Sequence, residues 1–103
     1  MTRAFEVRPL VPLDVEEAVV WYESKQIGLG ADFADVAFAG IRGIERHGRY
    51  ITEPYERVRA GLIRRVFVER VPYRVFFLET DTKRAVLRVL RHGRSDRHWR
   101  TQI

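Results

Sequence analysis

The chain has 103 residues, no cysteine, and a formal net charge of +5 carried by 19 Lys/Arg against 14 Asp/Glu. That length suits one domain, residues 1–103, with one modest core, and the missing cysteines exclude a disulfide framework, a thiolate metal site and a thiol nucleophile. No apolar run approaches the ~20 residues that span a bilayer, and Met1–Leu10 carries Arg3, Glu6 and Arg8 where a signal peptide would be apolar, so a cytoplasmic protein is expected.

In chain order, Phe5 and Val7 alternate with Glu6 and Arg8 as a short strand, which Pro9 and Pro12 end. Asp14 reads as a helix N-cap, with Glu17 completing a capping box. Val15, Ala18, Val19 and Tyr22 then form one apolar face of a helix over residues 14–27, which Gly28-Leu29-Gly30 breaks. Phe33, Val36, Ala37, Gly40, Ile41 and Ile44 fall on one stripe of a second helix, 30–47. Its early Asp32 and Asp35 and late Arg42, Arg46 and His47 suit the helix dipole, and Gly48 stops it. The short connection implies a helical hairpin.

Residues 48–57, with Pro54, read as a loop. The period then becomes that of strands: Leu62–Val68, Tyr73–Glu79 and, after a turn at Thr80–Lys83, Ala85–His92. The expected fold class is α+β: an N-terminal strand, an antiparallel helical hairpin and a three-stranded antiparallel meander in one twisted sheet, in the order β-α-α-β-β-β. Alternation assigns Tyr73, Val75, Phe77, Leu87 and Val89 to the helix side. It leaves Arg74, Phe76, Leu78, Arg88, Leu90 and His92 on an opposite, mixed apolar and basic face that is expected to meet a partner, with a partly covered sheet as the alternative.

Charge is unevenly placed. Residues 1–47 hold five Lys/Arg and eight Asp/Glu, a balance of −3; residues 48–103 hold fourteen and six, a balance of +8. Seventeen of the cations are arginine, the fork that fits phosphate and carboxylate. An anionic partner, nucleic acid or acidic protein, fits this distribution, as does a solvated basic face.

Several chemistries lack residues. No Gly-rich phosphate loop is present, and His92, Asp96 and His98 lack metal-ligand spacing and stand among arginines, so neither metal nor cofactor is expected. Ser24 and Ser95 sit in no nucleophile motif. What remains is a C-terminal cluster of Arg88, Arg91, His92, Arg94, Arg97, His98, Trp99 and Arg100, with Asp96 its one acid. Cations interleaved with an aromatic ring suit phosphate binding and base stacking. In a ribonuclease that uses the 2′-hydroxyl, His92 would serve as acid or base, since imidazole titrates near neutrality. Arg74 and Arg94 would stabilise phosphoryl charge. Arg65, Arg88, Arg91 and Trp99 are the candidate target contacts. For His92 the structural alternative is a strand-end contact with backbone, and for Trp99 a packing role that pins the C-terminal segment.

These residues together resemble the RelE/ParE toxin superfamily. The resemblance rests on the strand before Asp14; on Glu17-Ala18 with Trp21-Tyr22-Glu23; on Leu29-Gly30 with Phe33; on Pro72-Tyr73-Arg74; and on His92-Gly93-Arg94 followed by Asp96 and Trp99. It implies a toxin neutralised by an antitoxin encoded beside it, in a toxin–antitoxin hetero-oligomer. RelE-like members cleave mRNA on the ribosome; ParE-like members inhibit DNA gyrase. Arg74 falls on a strand arginine that the RNase branch sets at its phosphate, and Arg65 lies near a lysine position of that branch. Arg94 approximates a second RNase arginine if one residue is inserted. Trp99 stands where that branch has a tyrosine and cannot act as acid or base, and the only lysines are Lys25 and Lys83. The resemblance therefore favours the ParE branch. The alternatives are a metal-independent RelE-like endoribonuclease and a non-toxic member that only binds.

Overall fold

A computed structural model describes residues 3–48, 52–93 and 96–103. Its elements are β1 (Ala4–Val7), α1 (Leu10–Lys25), α2 (Leu29–His47), β2 (Glu53–Val58), β3 (Gly61–Phe67), β4 (Tyr73–Glu79), β5 (Lys83–Arg91) and a C-terminal 3₁₀ helix (Asp96–Gln102). Among the described residues five strands form one sheet in the order β1-β5-β4-β3-β2.

The fold is α+β, but the expected three-stranded meander is corrected to four strands, β2 to β5. The extra strand, β2, lies in the segment read as a loop and pairs antiparallel with β3. Its Pro54 hid it. Proline lacks an N–H for the ladder and is tolerated at an edge or a bulge; β2 is an edge strand, and its register shifts between Pro54 and Glu56. β1 pairs parallel with β5, Ala4 opposite Lys83 and Val7 opposite Val86, which makes the sheet mixed.

The first helix starts earlier than its capping pattern suggested. Pro9 is the N-cap residue, and Pro12 lies in the first turn, where the backbone N–H groups have no helical acceptor and proline costs little. Asp14 is therefore inside α1, buried among Val11, Val15 and Ala18. At the other end, the Gln26 N–H bonds the Tyr22 carbonyl at 3.2 Å. The Glu23 carboxylate accepts the N–H groups of Gly28 (3.1 Å) and Gly30 (3.0 Å). An α1 side chain thus serves the donors at the start of α2, where negative charge is favoured. A Cβ on Gly30 would collide with the Val19 carbonyl and Glu23, so glycine there lets the two helices close into a hairpin.

α2 follows its sequence stripe: Phe33, Ala37, Ile41 and Ile44 are buried, and Gly48 ends the helix. They pack with Val11, Val15 and Ala18 against Val75, Phe77, Val86 and Val89 of the sheet. Tyr22 stacks on Phe33 with ring centroids 5.2 Å apart, and Tyr73 meets Phe33 edge-on at 4.9 Å.

The opposite face is a second core, the covered sheet that was the alternative to a partner-binding surface. Ile63, Phe76, Leu78, Ala85, Leu87 and Leu90 are buried beneath Trp99, with Tyr55 and Val58 packed alongside. Leu87 lies here and not on the helix side because of a bulge: Phe76 pairs with Arg88 but Phe77 with Val86, so Leu87 is an extra residue and alternation reverses past it.

Candidate functional site

Between α1 and the end of β5 the sheet edge is left open. β1 ends opposite Val86, so among the described residues the outer edge of β5 beyond that point has no strand partner. The Asp14 carboxylate takes over part of that role. It accepts the Val89 N–H at 2.9 Å and both Nε (2.7 Å) and Nη2 (2.8 Å) of Arg88. A forked arginine–carboxylate pair of this kind is among the stronger charge-assisted contacts. Its hydrogen bond pushes the Arg88 guanidinium further up, against the burial that would lower it; the charges of Asp14 and Glu17 add to the rise. Arg88, a candidate target contact in the sequence, is mostly occupied inside the fold.

Above this pair runs an open groove of about 470 Å³, lined by Glu17, Ala18, Val20, Trp21, Tyr73 and Arg91 among others. Its apolar wall is the outer side of α1. Val20 is 65% exposed, Trp21 41% and Leu13 56%. Leu13, Val20 and Trp21 recur at i, i+7 and i+8, one helical face, opposite to the face that carries Val11, Val15 and Ala18. Trp21 sits between two cations, its ring centroid 5.0 Å from Arg91 Cζ and 5.0 Å from Lys25 Nζ, both at cation–π distance. The groove thus offers an exposed apolar strip flanked by Arg91 and by the acids of α1. Of the candidate target contacts read from the sequence it includes Arg91; Val20 in the groove and Leu13 further along the same face of α1 were missed as surface residues. The signal was present: apolar residues on two sides of α1, where one side suffices for packing.

The remaining candidates lie elsewhere. Arg74 is 5% exposed, with Cζ 5.6 Å from the Phe76 ring. Arg65 binds Glu53 at 2.6 Å and lies 4.6 Å from the Tyr55 ring and 5.6 Å from that of Phe67. The register sets exposed Phe67 opposite Arg74 and Arg65 opposite Phe76, so the two arginines flank Phe67. His92 is exposed just past β5, and its backbone N–H bonds the Pro72 carbonyl at 2.6 Å. Trp99 is 0% exposed and offers no face to a partner while the 3₁₀ helix is docked. Arg100 stacks on Trp99 at 4.8 Å and pairs with Glu56 at 2.5 Å. Arg94 lies outside the described residues. Arg74 and His92 share one end of the sheet; Arg91 faces the groove.

Among the described residues no helix is long and apolar enough to cross a membrane. No protein-family model and no curated protein matches the chain. The chain is similar in structure to a chain of the chromosomal ParDE TA system from P. aeruginosa, with a TM-score of 0.75 and 12% identity over 89% of this chain and 98% of that one. At that identity the likeness establishes a shared fold, and the fold extends over nearly the whole of both chains.

Proposed function

We propose that this chain, residues 1–103 as one domain, is the toxin of a toxin–antitoxin module of the RelE/ParE superfamily. In this reading it acts in the cytoplasm, is neutralised by an acidic antitoxin and inhibits DNA gyrase in the manner of ParE. The observation that carries the reading is the fold shared over 89% of this chain with a chain of a ParDE TA system. It is supported by the open groove along α1, where exposed Val20 and Trp21 lie beside Arg91. An antitoxin segment would bury the apolar strip and set a carboxylate against Arg91. Apolar burial resists salt while charge steering does not, so association should slow at high salt and the complex should persist.

The gyrase-directed branch is favoured over the nuclease because the nuclease would need exposed phosphate ligands. Here Arg74 is buried and Arg88 is held by Asp14. One observation keeps the RelE-like reading as a second: Arg65 and Arg74 flank exposed Phe67, and Arg74 shares a sheet end with exposed His92. Two parallel assays of the purified protein separate them. With gyrase and relaxed plasmid, loss of supercoiling is expected; with translating ribosomes, intact mRNA is expected. Codon-specific cuts that vanish in His92→Gln, with supercoiling normal, would replace the gyrase reading by the nuclease one.

A further inference from the structure

At the other end of β4, away from the groove, a second depression of about 470 Å³ opens where the β2–β3 and β4–β5 turns meet. It is lined by Arg3, Arg57, Arg64, Gly61, Glu79 and Asp81 among others. Glu79 is buried at its base, with one oxygen accepting Arg64 Nε at 3.1 Å and the other Arg84 Nε at 2.9 Å. Burial alone would raise this carboxyl. The hydrogen bond from Arg84, the charge and hydrogen bond of Arg64, and the charge of Arg3 hold it below its ordinary value. Each oxygen of this carboxylate is thus engaged by one guanidinium group.

The arginines are not fully used. Arg64 is 9% exposed, and among the described residues only its Nε has an acceptor. Its terminal nitrogens are not among the sealed, unsatisfied atoms, so they open onto the depression that Arg64 lines. Arg3 uses Nε on the Thr80 carbonyl at 2.7 Å, which leaves its terminal nitrogens without an acceptor among the described residues. Arg57 is exposed on the edge strand, and its side chain makes no hydrogen bond or ion pair among them. A Cβ on Gly61 would collide with the Glu79 carbonyl, so the β2–β3 turn is drawn tightly over the site. The local charge is four guanidinium groups, Arg84 included, against Glu79 and Asp81.

We propose that this depression binds a compact phosphate-bearing ligand through Arg3, Arg57 and Arg64. Three forks offer more donors than the two oxygens of a carboxylate can use, whereas a tetrahedral phosphate presents three terminal oxygens and a charge near −2. The lining is predominantly polar, which disfavours an apolar ligand. Asp81, exposed at the rim, would repel a polyanion running past it, so a small ligand fits better than a nucleic-acid backbone. This site is separate from the α1 groove and stands or falls without the toxin reading.

The test is calorimetric titration of the whole protein with inorganic pyrophosphate at fixed ionic strength, and with a short single-stranded oligonucleotide in parallel. Saturable pyrophosphate binding is expected. It should weaken at least about tenfold in Arg57→Ala, the loss of one charge-assisted contact, and stay unchanged in Arg59→Ala, an exposed cation of the same turn that does not line the depression. The Arg57 side chain makes no hydrogen bond or ion pair among the described residues, so its variant should melt like the parent. Absence of saturable binding, equal weakening in both variants, or oligonucleotide binding that pyrophosphate does not displace would each overturn the proposal.

Discussion

The two faces of the sheet are buried in unlike ways. On one, two helices of 16 and 19 residues lay many apolar side chains over Val75, Phe77, Val86 and Val89. On the other, a 3₁₀ helix of 7 residues covers Phe76, Leu87 and Leu90 chiefly with one ring, Trp99. Burial energy scales with apolar area removed from water, so the helix side spreads its cover over many residues of two helices, while the cover that the C-terminal segment gives the second face is chiefly Trp99. The Trp99 indole N–H also finds no acceptor there among the described residues, so that ring is held by packing and by the Arg100 and Tyr55 contacts.

The largest expected effect follows from that concentration. Trp99→Ala should cost about 3–5 kcal/mol, the range for a buried large aromatic, and should uncover Phe76, Leu87 and Leu90. Denaturant unfolding would give the loss. Hydrogen exchange should then show protection falling in β2 and β3 more than in α1 and α2. Uniform loss across both faces would mean that the two cores are not separable.

Next comes the charge buried at the far end of β4. Glu79→Gln should cost about 2–4 kcal/mol, since two charge-assisted hydrogen bonds lose their charge. The sign with pH is fixed. The folded carboxyl titrates below its ordinary value of 4.5, so its contribution is fully present above that value and is lost as pH falls through the folded pKa. Stability measured from pH 6 downward should fall in the parent and flatten in the Gln variant. The Asp14→Asn change should cost somewhat less, about 1.5–3 kcal/mol, because Asn still accepts the Val89 N–H; it should free Arg88 and loosen the edge of β5.

Smallest in stability is Trp21→Ala, under about 1 kcal/mol for an exposed ring held by cation–π contacts. On an antitoxin its effect should be the reverse of small: an aromatic anchor at an interface is worth about 2 kcal/mol or more. A Trp21→Ala protein that keeps full antitoxin affinity would remove the groove from the binding account.

Much of this was legible in the sequence where neighbours in the chain decide the outcome. α2 was readable because its stripe from Phe33 to Ile44 is complete and Gly48 ends it; β4 was readable to the residue. Long-range contacts hid the rest. Asp14 looks like a cap because Glu17 stands three residues on, yet its partners are Arg88 and Val89, more than seventy positions away. β2 carries Pro54 and two glutamates, and is a strand only because β3 lies beside it. Leu87 changed faces through a bulge that no alternation rule anticipates. Trp99, grouped with the cations as a target contact, takes instead the packing role that was its alternative. Arg3, Arg57 and Arg64 come together only when the sheet forms.

The most direct test of the toxin reading is cell growth on induced expression of the chain, alone and with the adjacent reading frame that this reading takes as the antitoxin. Growth arrest with the chain alone, relieved by co-expression, is the predicted result. Unimpaired growth while folded protein accumulates in the cells would contradict it and leave a binding module in its place.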